Sequence, residues 1–123
     1  MPGRVVEGVV RGFVTVHAVA VFAQPVFAGG YLTGEYDLLA WHALGADVVS
    51  YLAVAQLVPT ALLWRRGGAR WPFWVTVLLL VGETGQYFAG LAGALDLHVP
   101  LGVALAVLAS TATVAVWRTG GRR

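Results

Sequence analysis

The chain has 123 residues, of which 59% are hydrophobic and 11% charged, with a formal net charge of +2. A soluble domain carries roughly a quarter of its residues as charges, and a chain this short has little interior in which to hide so much apolar surface. A water-soluble globule is therefore excluded and the lipid bilayer is the expected solvent. There is no cysteine, which removes disulfides, thiolate ligands and thiol catalysis. All eight basic residues are arginine, and the bias toward Gly, Ala, Val, Leu and Arg points to a high-GC bacterial genome.

The first apolar stretch, about residues 9–30, carries His17, Val21, Gln24 and Ala28 in helical rhythm and runs into "QPVFAGGYL". The polar "YLTGEYD" then separates it from a second stretch at 40–64. That stretch opens on "WHALGAD" and sets His42, Ala46, Val49, Ala53, Gln56 and Thr60 on one inward face. Asp47 lies well around the helix from His42, nearer the outer surface, where hydration is expected. "RRGGARWP" leads to a third stretch at 71–93, with Leu79, Glu83, Gln86 and Gly90 in the same rhythm. "LDLHVP" makes a tight turn into the fourth, at 98–117, with Pro100 expected in the first helical turn, where its missing N–H costs little. Each stretch approaches the roughly 20 residues that cross a hydrocarbon core, and backbone groups in lipid must bond internally. The expected fold is all-α: a four-helix transmembrane bundle, up-down-up-down, forming a single domain over 1–123. Arg4, Arg11 and "VFA" before Gln24 also resemble a secretory signal; cleavage there would leave three helices, and an uncleaved first helix is the reading adopted.

Charge sets the orientation. Arg4 and Arg11 precede the first helix, Arg65, Arg66 and Arg70 lie between the second and third, and Arg118, Arg122 and Arg123 follow the fourth; Glu35, Asp37 and Asp96 lie on the other side. By the positive-inside rule both termini are cytoplasmic in a bacterial cytoplasmic membrane. Trp64, Trp71, Trp74 and Trp117 mark the inner interface, and Trp41, Tyr31 and Tyr36 the outer one.

Two tandem hairpins are legible. "QPVFAGGYL" matches "QYFAGLAGAL", and His42 with Gly45 matches His98 with Gly102. Offsets of 61 at the Phe-Ala-Gly triplets and 56 at the histidines make the second connection five residues shorter. On the triplet register Leu78 takes the place of His17. Such a repeat implies a two-fold axis along the membrane normal and makes the second and fourth helices diagonal partners.

His42 and His98 then share a depth near the outer leaflet. With neighbouring helices about 8–10 Å apart, the diagonal is about 12–14 Å, a gap across which two imidazoles can hold one haem iron. Gly45 and Gly102 would leave room for the macrocycle, and Gln24, Gln86 and Glu83 would surround it. His17 and Gln56 lie at nearly equal depth on adjacent helices, so a hydrogen bond between them is expected; proton handling or quinone contact is the functional alternative. Glu83 is the carboxylate hardest to place, since near mid-membrane it must be protonated, paired or hydrated.

The pattern "WHALGA" with "LHVPLGVAL" after a Gln-containing helix end resembles small four-helix membrane proteins of actinobacteria. In layout it also resembles one four-helix half of the haem A synthase family and, more loosely, cytochrome b-type bundles. That resemblance implies haem b held by histidines near the outer ends of helices, and carries over to His42 and His98 alone. No arginine or lysine stands on the outer side to pair haem propionates, leaving Tyr31, Thr33, Tyr36 or water.

Two readings of different class follow. One is a b-type cytochrome-like protein with a quinone or a redox partner protein at the other end of its electron path. The other is a cofactor-free accessory subunit or homo-oligomeric carrier acting through helix packing, with Glu83 and His17 along a polar path. The arginines are explained by topology, so nucleic acid is not an expected partner, and whether the chain catalyses a reaction of its own stays open.

Overall fold

A computed structural model describes residues 2–119; Arg122 and Arg123 lie outside them. Four helices follow one another: α1 (Pro2–Leu32), α2 (Leu38–Arg65), α3 (Trp71–Leu91) and α4 (Leu95–Thr119). Each packs on its neighbours around a square. The backbones of α1 and α3, and of α2 and α4, do not approach, so these are the diagonal pairs.

The helices end where backbone chemistry ends them. Gly34, Gly67 and Gly93 have φ of 107°, 81° and 69°, the left-handed conformation that closes a helix. Each lets the next residue's N–H reach back to a carbonyl of the last turn: Glu35 to Gly30, Gly68 to Leu63, and Ala94 to Ala89. This common closure folds the chain back three times with loops of only a few residues. α4 begins at Leu95, earlier than the sequence suggested, because the loop needs only Ala92 to Ala94. Pro100 consequently lies in the second turn of α4, not the first, and Asp96 takes the first turn, where the helix dipole favours a negative charge.

The interior is graded along the bundle. At the arginine end Val6, Val10, Val14, Leu63, Ala112 and Val116 form one apolar cluster, with Trp71 against it. Ala18, Leu79, Leu105 and Ala109 form a second, nearer the middle. Arg11 clasps α1 to α4 at this end: its Nε donates to the Val116 carbonyl at 3.2 Å and its guanidinium lies over the Trp117 ring. The Trp117 indole N–H in turn donates to Thr15.

The outside is more apolar than parts of the inside. Val16, Val19, Phe22, Val58, Val81 and Val107 are exposed, while His17, Gln56, Thr60, Thr76 and Glu83 are buried. A helix that is apolar all round belongs in a large core or in lipid, and the exposed faces are compatible with bilayer contact. α1, α2 and α4 are long and apolar enough to cross a membrane, three helices rather than four. In α3 the run "GETGQ" (82–86) lowers the hydropathy, and Glu83 is buried within the bundle.

Candidate functional site

The repeat is expressed as paired hydrogen bonds. His42 Nδ1 lies 3.1 Å from the backbone oxygen of Gln24, and His98 Nδ1 lies 2.9 Å from that of Gln86. A carbonyl oxygen only accepts, so Nδ1 carries the proton in both rings. The neutral imidazole then presents Nε2 as a lone pair, the tautomer that binds metals, and among the described residues neither Nε2 has a hydrogen-bond partner. The two rings face each other across the α2–α4 diagonal, with centroids 6.0 Å apart and planes at 72°.

These bonds also set the register of the repeat. Histidine and carbonyl are separated by 18 residues in the first half and 12 in the second; five residues of that difference lie after the Phe-Ala-Gly triplet, as the offsets gave, and one lies before it, within the helix. "QPVF" has one residue more than "QYF" between Gln and Phe, and a helix cannot absorb an extra residue without turning by about 100°. The glutamines and histidines keep the register, and the Phe-Ala-Gly triplets slip by one. The counterpart of His17 is therefore Leu79, 1% exposed, and not Leu78, 57% exposed.

The glycines beside the pair are not open notches. The Gln24 amide lies where a Cβ on Gly45 would stand, and the Gln86 amide nitrogen lies 2.7 Å from the corresponding point on Gly102. Gly90 faces the His98 ring, whose Cε1 is 2.8 Å from its absent Cβ. Both polar atoms of the Gln24 amide and Oε1 of Gln86 are buried without a partner. Such atoms cost about 1–3 kcal/mol each when left unpaired, so a polar group belongs among them.

Two imidazoles binding one metal from opposite sides at about 2 Å each would have ring centres about 6 Å apart, close to the observed separation. The two imidazole donors and the unpartnered amides are the residue types that would hold and line a haem between α2 and α4. A macrocycle there would rest on the Gln24 and Gln86 side chains, which the sequence reading did not foresee for Gly45 and Gly102. Among the described residues no cluster of three or more His, Cys, Asp or Glu is gathered for a metal.

Further inward a second polar cluster forms. His17 Nδ1 lies 3.2 Å from Gln56 Oε1, as expected from their depths, but its Nε2 also lies 2.8 Å from Glu83 Oε1. Glu83 is thus paired across the α1–α3 diagonal with His17, while its Oε2 is buried and unpartnered. Gln56 Nε2 donates to Thr76 Oγ1 at 2.8 Å, and the Thr76 hydroxyl donates to the Pro72 carbonyl at 2.7 Å. Thr76 escaped the sequence reading, although it continues the Leu79–Glu83 stripe one turn inward. Asp47 lies apart and accepts a hydrogen bond from Tyr87 at 3.0 Å.

No protein-family model, curated protein or solved structure matches this chain.

Proposed function

We propose that this protein is a small b-type cytochrome-like membrane protein that holds one haem between α2 and α4, with His42 and His98 as the residues that would bind its iron. The observation that carries the reading is the matched pair of Nδ1–H···O=C bonds from rings 6.0 Å apart. When bound, haem supplies a one-electron centre whose potential the surrounding protein tunes. The backbone carbonyls of Gln24 and Gln86 fix both ring planes and keep each Nε2 unprotonated. Their side-chain amides offer hydrogen bonds to the edge of a bound group. The arginine end faces the cytoplasm by the positive-inside rule, which puts the histidines toward the outer leaflet. A quinone or a redox protein completes the electron path. The test is an optical spectrum of the purified protein, oxidised and dithionite-reduced, with protein quantified alongside. A sharp Soret band and reduced α-band at one haem per chain support the reading, and a colourless protein from a haem-replete host overturns it.

One observation favours a second reading. The faces of Gly45 and Gly102 are already filled by glutamine side chains, as in a bundle that uses small residues for close packing alone. A cofactor-free accessory subunit or homo-oligomeric carrier would then present its outer faces to other subunits, and the same spectrum separates the two.

A further inference from the structure

The inner cluster has a proton count that its hydrogen bonds determine. The Thr76 hydroxyl is spent on the Pro72 carbonyl, so Thr76 Oγ1 accepts and the Gln56 atom facing it must be the amide nitrogen. The other end of that amide is then an acceptor, and His17 Nδ1 must donate to it. His17 Nε2 and Glu83 Oε1, 2.8 Å apart, cannot face each other as two lone pairs. One proton therefore sits between them, on nitrogen or on oxygen, and either way the pair is net neutral. A further proton has one free place on it: Glu83 Oε2, buried, with lone pairs that meet no donor.

That place lies on the helix that anchors one ring of the histidine pair. Glu83 is one turn inward from Gln86 on α3, and the Gln86 carbonyl holds His98. Around the couple, α1 contributes His17, α2 the neutral Gln56 and α3 the neutral Thr76. From α4, Leu101 and Leu105 pack against this stretch of α3, at Gly85 and Gly82. Among the described residues no other charged or titratable group hydrogen-bonds to it. Asp47 is engaged by Tyr87.

We infer that the His17–Glu83 couple takes up one proton when an electron enters the His42–His98 site, and releases it when the electron leaves. The inference rests on the haem reading. The electron comes from a quinol or a reduced partner protein. The proton comes from solvent and forms an O–H bond with a lone pair of Glu83 Oε2, so the pair gains one positive charge as the His42–His98 site gains one negative charge. Away from water an uncompensated charge is expensive, and opposite charges within one bundle attract strongly. The second half of the repeat, with Leu79 where the first has His17, cannot do this, so the two-fold symmetry is broken where the proton is held.

The experiment is a spectroelectrochemical titration of the whole pigmented protein over a range of pH. In the wild type the midpoint potential falls as pH rises, because reduction takes up a proton. Glu83→Gln flattens that dependence, and Glu83→Asp, which keeps the carboxyl, restores it. His17→Phe carries the same test should Glu83→Gln shed its pigment, and it too flattens the curve. A pigmented wild type with a pH-independent potential overturns the coupling and leaves the haem reading standing. So does a dependence undiminished in both variants, since the proton then resides elsewhere. A colourless wild type overturns both.

Discussion

His42 and His98 meet across a diagonal that no backbone contact closes, each anchored through Nδ1 to the main chain of a glutamine on the preceding helix. The arrangement orients both rings before any ligand arrives. An imidazole held only by its own rotamers would have to be ordered on binding, at some cost in entropy.

If the pair holds haem, His42→Ala and His98→Ala should each abolish stoichiometric pigment, because a single axial histidine leaves the iron without its second anchor. His17→Ala should retain it, since His17 bonds to Gln56 and Glu83 and touches neither ligand. The check is the Soret absorbance per mole of folded protein. Full pigment in His98→Ala would end the two-histidine assignment.

The glycines give a sharper geometrical test. A methyl group on Gly90 would press on the His98 ring at 2.8 Å, whereas Gly29, its match in the Phe-Ala-Gly repeat, has nothing within 4 Å. Gly90→Ala should therefore lower thermal stability by about 1–3 kcal/mol, as overpacking does, and disturb any pigment spectrum. Gly29→Ala should be neutral or slightly stabilising, by up to about 1 kcal/mol, since Ala favours a helix over Gly. Thermal unfolding of the two variants in one detergent reads both outcomes, and equal behaviour would mean the His98 ring is not held against α3.

Much of this architecture was legible beforehand, and the reasons are local. Apolar runs of about 20 residues, Gly-containing breaks and one-sided arginines demand a helical hairpin repeat. His42 and His98 stood out because few polar residues interrupt those runs. Partners in the third dimension were not legible. His17 and Gln56 sit on adjacent antiparallel helices, where counting residues gives depth, and their bond was expected. Glu83 sits on a diagonal helix, and a count gives depth but not which face turns toward His17. The same limit hid the glutamine side chains over Gly45 and Gly102, because a glycine written in a sequence does not say what occupies the space it leaves. The repeat carries one inserted residue, "QPVF" against "QYF", which the matching Phe-Ala-Gly triplets conceal.

The buried pair makes a prediction about stability that needs no cofactor. His17→Ala strands Glu83 without its partner, a change that costs roughly 3–5 kcal/mol in a buried pair, with proton uptake by the carboxyl as the relief available to it. The repeat itself suggests the repair: on the glutamine register, the counterparts of His17 and Glu83 are the buried Leu79 and Val21. The double variant His17→Leu, Glu83→Val should regain most of the loss, because replacing both members of a buried pair by apolar groups is often neutral or stabilising. A double-mutant cycle on thermal unfolding measures the coupling. Additive losses would show that the two side chains do not interact.

Orientation can be tested with the residue the chain lacks. With no native cysteine, a single Glu35→Cys or Ala69→Cys reports its own side of the membrane without background. Both positions are exposed and lie at opposite ends of the bundle, Glu35 between α1 and α2 and Ala69 among the arginines between α2 and α3. If the arginine end is cytoplasmic, a membrane-impermeant maleimide applied to intact cells should label Glu35→Cys and leave Ala69→Cys untouched until the membrane is opened. The reverse pattern would place His42 and His98 toward the cytoplasm and make a cytoplasmic electron donor the natural partner. Labelling of both sites in intact cells would mean the arginines do not set a single orientation, and the bundle inserts both ways.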